Sequence, residues 1–158
     1  MAQASDWTFC EGELEHIDVR ELLALHFSEM RAGSPPEACH VLEVDKLADP
    51  DIRLFSLRDE SGSLLGVGAL QRIGEHHGEL KSMRTAPKAL GRGVGRALLD
   101  QLTKVARSMG MNRLSLETGN TDLFDAANRL YTNAGFVRCD PFGSYSRTPF
   151  TYFYTREI

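Results

Sequence analysis

The chain has 158 residues, 42% of them hydrophobic and 25% charged, a size and mix that predict one globular domain over 1–158. No apolar run nears the roughly 18 residues of a membrane span, and the first six residues lack the basic and apolar regions of a secretory leader, so a cytoplasmic protein with no membrane partner is expected. A net charge of −4 argues against general nucleic-acid binding, and three widely spaced cysteines (Cys10, Cys39, Cys139) make neither a disulfide framework nor a metal-ligand pair, so no metal is expected.

A first strand is expected within the first 15 residues, where Trp7 and Phe9 alternate with polar neighbours. Asp18, three residues before Glu21, reads as a capping box for a helix through Leu22, Leu23, Leu25, Phe27 and Met30. Gly33 stops that helix and Ser34-Pro-Pro-Glu37 cannot continue it, which makes 31–40 an irregular loop, with a short helix near 45–48. Residues 52–59 and 64–73 form a hairpin about Ser61-Gly62. Gly66 and Gly68 inside its second strand predict a bulge or a close approach by another backbone. A turn at 74–78 leads into a strand over 79–86, ended by Pro87. After a glycine cluster, Val94, Ala97, Leu98, Leu102, Val105, Ala106 and Met109 recur at helical spacing up to Gly110. A strand at 112–118 and the turn Gly119-Asn-Thr-Asp122 precede a helix through Phe124, Ala127, Leu130, Tyr131 and Ala134, which Gly135 ends. Strands at 136–139 and 151–157 flank a loop at 140–149. The order β-α-(α)-β-β-β-α-β-α-β-β describes an α/β protein, a mixed sheet with helices on its faces.

Charge is unevenly spread. Residues 1–60 carry a local balance of −9, whereas 81–113 hold eight basic side chains and one acid, Asp100. The basic block fits a site for a phosphorylated small molecule. A solvated helix face explains it equally well.

Within that block, Gly91-Arg-Gly-Val-Gly95 joins a strand to a helix. The first amides of a helix have no intrahelical partner and carry the positive end of its dipole. Gly93, Val94, Gly95, Arg96 and Ala97 can therefore present a row of donors to a pyrophosphate. There is no Gly-Lys-Ser/Thr of a P-loop, and Leu98 stands where a dinucleotide fingerprint needs its third glycine. The strand before the turn is also too polar for the buried first strand of a dinucleotide fold.

Four segments occur in order: Glu79-Leu-Lys-Ser-Met-Arg-Thr-Ala-Pro87, Leu90-Gly-Arg-Gly-Val-Gly-Arg-Ala-Leu-Leu99, Leu116-Glu-Thr-Gly119 and Ala127-Asn-Arg-Leu-Tyr-Thr-Asn-Ala-Gly-Phe136. Together they resemble the GNAT superfamily of N-acetyltransferases, and the loops at Ser34-Pro-Pro-Glu37 and Pro141-Phe-Gly-Ser-Tyr145 resemble a small bacterial branch of it. The resemblance implies an α+β fold: a mixed, mostly antiparallel twisted sheet of six to seven strands with about four helices. It implies acetyl-CoA as cosubstrate, with Met83, Arg84 and Thr85 pairing with the pantetheine arm through their backbone. Gly91, Arg92, Gly93, Val94, Gly95, Arg96 and Ala97 would hold the pyrophosphate. Asn128 and Tyr131 would face the thioester. Leu90 stands where the family usually has Gln or Arg, and Phe124 replaces a usual Asn and is expected to pack on the pantetheine. By the same analogy a homodimer is expected.

Acetyl transfer to an amine needs a base for the amine proton and an acid for the departing thiolate. Tyr131 is expected as the acid, and Glu79 as the base, on the same strand side as Lys81 and Met83 unless a bulge intervenes. Lys81 beside it would weaken that base. Ser34, His40, Lys81, Glu117, Phe142 and Tyr145 are the candidates for the acceptor pocket, although packing or ion pairing explains several of them as well. His26 is a further candidate, and His76 and His77 sit in a turn. The expected function is transfer to a small-molecule amine in a ternary complex. A non-catalytic acyl-CoA-binding module of the same fold is the alternative.

Overall fold

The computed structural model describes residues 6–36 and 39–158. In chain order it contains strand β1 (Thr8–Glu11), helix α1 (Ile17–Ala32), strands β2 (Ile52–Arg58), β3 (Leu64–Gly74) and β4 (His77–Thr85), and helix α2 (Val94–Ser108). Strand β5 (Arg113–Gly119), helix α3 (Asp125–Asn133) and strands β6 (Val137–Arg138) and β7 (Thr151–Glu157) complete it. The expected order holds. Three helices are α-helical among the described residues, and the segment expected as a short fourth, Val44–Ala48, is a 3-10 turn. No helix among these residues is long and apolar enough to cross a membrane.

Helix α1 starts one residue before Asp18, with His16 at its N-cap. Asp18 turns its carboxylate to Arg58, with contacts of 2.6 and 3.0 Å, and also accepts the Val19 amide. The expected capping box is therefore replaced by a long-range ion pair, and the Arg58 hydrogen bonds hold the Asp18 carboxyl below its usual range. Gly33 ends α1 as expected, its amide donating to the Glu29 carbonyl.

The strands form one sheet in the order β1-β2-β3-β4-β5-β7-β6. Every neighbouring pair is antiparallel except β4 and β5, which run parallel and pair only at His77↔Arg113, Gly78↔Leu114 and Glu79↔Ser115. Beyond this seam β4 runs on to Thr85 and β5 to Gly119 without pairing to each other. The sheet thus splits into two wings.

The β3–β4 ladder slips within the same stretch: Val67 pairs with Arg84 but Ala69 with Lys81, so Ser82 and Met83 together oppose Gly68. Ser82 takes φ 53°, the one non-glycine residue at positive φ among those described. A bulge of this kind re-aims the side chains that follow it. Glu79 and Lys81 stay on one face, while the Met83 sulfur lies against Gly68 on the other, only 2.7 Å from where a Cβ there would stand. The regular-strand expectation that grouped Met83 with Glu79 and Lys81 fails for this reason.

Each face of the sheet has its own core. On one, Val19, Leu22 and Leu23 of α1 pack on Leu54, Val67 and Ala69. On the other, Leu99, Leu102 and Ala106 of α2 and Tyr131 of α3 cover Phe55, Leu70, Leu80, Leu114 and Leu116. The buried side of α2 follows its helical spacing, and each fully buried leucine contributes about 1.5–3 kcal/mol. Gly66 admits α2 closely, since a Cβ there would stand 2.9 Å from Val94, Leu98 and the Arg84 carbonyl oxygen.

Candidate active site

Where the two wings part, a cleft of about 710 Å³ opens, a volume suited to a small molecule. One wall is β4 from Glu79 to Thr85 and the opposite wall is β5 from Leu116 to Gly119. Helix α1, the turn before α2, the inner face of α3 and Tyr145 complete it.

The turn depends on its glycines. Gly91 and Gly93 have φ of 75° and 83°, a region costly for any residue with a Cβ. Gly93 is the N-cap of α2 and has no side chain with which to cap it. The Ala97 amide donates to the Gly93 carbonyl at 3.0 Å, which starts the helical ladder and removes Ala97 from the row of expected donors. The amides of Val94, Gly95 and Arg96 precede that first bond and carry the positive helix end. Leu90, Gly91, Gly93, Val94, Gly95 and Arg96 all line the cleft. Arg92 does not: its guanidinium lies 5.7 Å from the centre of the Trp7 ring.

Tyr131 reaches the cleft from α3 with its ring held edge-on to Phe136, centroids 5.8 Å apart. Burial raises its hydroxyl above the usual tyrosine range, so it keeps its proton at neutral pH. Among the described residues no hydrogen bond engages that hydroxyl.

Two polar groupings stand on the walls. In the first, the Glu79 carboxylate, 5% exposed, accepts the Tyr145 hydroxyl at 2.6 Å and pairs with Lys81 Nζ at 3.2 Å. Lys81 Nζ also donates to the Tyr145 oxygen at 2.9 Å. Burial, and then the bond to Glu79, push the Tyr145 hydroxyl upward. In the second, His40 Nδ1 lies 2.7 and 2.9 Å from the two oxygens of Glu117. Burial raises the Glu117 carboxyl, and the bond from His40 opposes that rise.

Of the other expected residues, Ser34, Met83, Arg84, Thr85 and Phe124 line the cleft. Asn128 and Phe142 do not. The Asn128 amide donates to the carbonyls of Gly119 and Phe124 and accepts the Tyr154 hydroxyl, so it ties α3 to the sheet. Phe142 packs on His77, Tyr145 and Phe153. His76 is exposed in the β3–β4 turn, and His77 bonds Ser115 Oγ at 2.6 Å outside the cleft. Glu37 lies outside the described residues.

The site also holds residues that local pattern did not mark. Ser82, Leu116, Thr118 and Leu130 line the cleft, as does Glu29, which pairs with Arg84 at 2.5 Å. His26, which the sequence did offer as a candidate, lines it as well, with its Nδ1 buried and unpartnered. Burial, and then the Arg84 charge, push this imidazole down to about 4.

A mixed, mostly antiparallel sheet of seven strands with a glycine turn at the start of the following helix is the arrangement the resemblance implied. The acetyltransferase (GNAT) family model matches residues 17–136. The chain belongs to that family. It is 43% identical to the protein named uncharacterized N-acetyltransferase YedL of Escherichia coli (strain K12), over 93% of this chain and 92% of that one. It is 37% identical to uncharacterized N-acetyltransferase YsnE of Bacillus subtilis (strain 168), over 92% and 98%. A solved GNAT family acetyltransferase from Elizabethkingia anophelis, with acetyl-CoA bound, shares the fold at a TM-score of 0.72 and 17% identity, over 97% of this chain and 99% of that one. The expected fold and the expected enzyme class, an N-acetyltransferase, stand on these likenesses.

Proposed function

We propose that the protein moves the acetyl group of acetyl-CoA to a primary amine of a small molecule, by direct attack with both substrates bound. The observation that carries this reading is the parting of β4 from β5 directly beside the open amides of α2. The acetyl-CoA bound in the Elizabethkingia relative supports the cosubstrate. An extended pantetheine arm would pair with the free edge of β4 at Met83, Arg84 and Thr85, as an added strand does. The amides of Val94, Gly95 and Arg96 would receive the pyrophosphate. Leu90, 68% exposed, would give the arm apolar cover in place of a polar side chain.

Tyr131 would donate its proton to the departing sulfur, a role suited to a buried phenol that stays protonated. Glu79 fits the role of base less well than the sequence implied, because Tyr145 and Lys81 both engage its Oε2 and tie the carboxylate into an ion-paired grouping. It would instead help to shape the acceptor end of the cleft, with Ser34, Lys81 and Tyr145. The test is incubation with acetyl-CoA and a panel of small primary amines while free thiol is followed. Amine-dependent thiol release is expected. Cofactor binding without such release would return the protein to the non-catalytic alternative.

A further inference from the structure

Glu117 lies two residues past Ser115, the last residue of β5 that pairs with β4, and so on the unpaired stretch of that wall. Its carboxylate is 10% exposed, whereas the His40 side chain bonded to it is 32% exposed. Both residues line the cleft. A carboxylate that holds Nδ1 selects the tautomer with its proton on that nitrogen, which leaves Nε2 with a free lone pair. The Tyr145 ring, with centroid 5.0 Å from the His40 ring and tilted by 52°, gives the imidazole a second support. The charged and titratable groups facing the pair are Glu79 and Lys81 from β4 and Tyr145 from the loop at 140–149.

The remaining histidines lack this combination. His16 stands at the N-cap position of α1 without a side-chain capping bond and outside the cleft, His76 is exposed in a turn, and His77 is bonded to Ser115 outside the cleft. His26 reaches the cleft but is bonded to no carboxylate, and burial makes it a weak base.

We infer that His40 is the catalytic base that takes the amine proton, and that Glu117 is the positioning residue that orients it. The inference rests on the acetyl-transfer reading above. In the step, the amine nitrogen lone pair attacks the acetyl carbonyl carbon. The N–C bond forms, the C–S bond breaks, and the amine proton passes to His40 Nε2. The sulfur takes its proton from Tyr131. Solvent then removes the proton from His40 and returns one to Tyr131, so that one proton moves in net from nitrogen to sulfur.

The test uses the full chain with acetyl-CoA and hydrazine, a nucleophile small enough to enter without a fitted pocket, and follows thiol release. His40→Ala and His40→Gln should each lower kcat/KM about a hundredfold. Thermal stability and CoA affinity should stay near wild type, and added imidazole should restore turnover to His40→Ala. Glu117→Gln should lower kcat about tenfold with the KM for acetyl-CoA unchanged, and Glu117→Asp should recover part of the loss. Wild-type kcat/KM in both His40 variants would overturn the inference, as would an absence of imidazole rescue. If the wild type itself releases no thiol with hydrazine or with any amine of the panel, the acetyl-transfer reading falls first and takes this one with it.

Discussion

Replacing Tyr131 by phenylalanine separates a chemical role from a structural one. The ring fills the core beside Phe136 and Tyr154, at centroid distances of 5.8 and 6.3 Å, and phenylalanine retains those contacts. No hydrogen bond engages the hydroxyl among the described residues, so the roughly 1 kcal/mol that a typical bond contributes is not at stake. The melting temperature should therefore change by no more than about 2 °C. Turnover should fall about a hundredfold or more, the worth of a positioned acid and equivalent to roughly 3 kcal/mol of barrier. Affinity for CoA, measured by calorimetric titration, should stay within about twofold. Tyr131→Ala is the contrasting variant: it removes the ring and should cost about 3–5 kcal/mol, a fall in melting temperature of roughly 10 °C. Thiol release and a thermal melt on the same preparations decide the matter. Unchanged turnover in Tyr131→Phe would remove the residue from the acid role. A large loss of stability in that variant would mean the hydroxyl has a partner that the structure does not reveal.

Gly95→Asp places a carboxylate where a Cβ already comes within 3.1 Å of Leu130, beside the amides assigned to the pyrophosphate. CoA affinity should fall about tenfold or more from charge repulsion, and undiminished binding would show that the turn does not carry phosphate. His26 should make the protein sensitive to acid. Its pKa is depressed from 6.5 to about 4 on folding, so its contribution is present above pH 6.5 and is lost as pH falls toward 4, roughly 3 kcal/mol in all. Melts across that range should show the loss in wild type and a flatter profile in His26→Leu; parallel profiles would refute it. Arg92→Ala removes the cation from Trp7, the single tryptophan, and should shift its emission at a cost of about 0.5–1 kcal/mol. CoA binding should be unaffected, and a tenfold loss would place Arg92 on the cofactor after all.

Elements with local causes were legible from sequence. The stops at Gly33, Gly110 and Gly135, the Ser61-Gly62 hairpin and the spacing of α2 all appear in the structure near their expected positions. What escaped depends on partners far along the chain. Asp18 met Arg58 forty residues away, which undid a capping box that its neighbours favoured. His40 and Glu117 stand 77 residues apart, and nothing near either one marks the pair. Arg92 sits among the glycines of the turn but was claimed by Trp7 from the other end of the chain. The bulge at Ser82 has no glycine to announce it, although Gly68 opposite was read as a sign of irregularity. The short parallel seam is a property of topology, and strand patterning does not encode it.

The three-pair seam also bears on how the protein can offer unpaired backbone without laying it open along the rim of the sheet. An open strand edge on the rim of a sheet templates association with other chains and is a hazard of aggregation. Here the open edges of β4 and β5 are turned toward one another inside the molecule, each guarded by the other. A narrow, extended ligand can find main-chain partners there without the sheet showing those same groups to a neighbouring protein. The splay is thus a form of containment: it keeps hydrogen-bonding capacity in reserve for a thin guest and withholds it from a broad one.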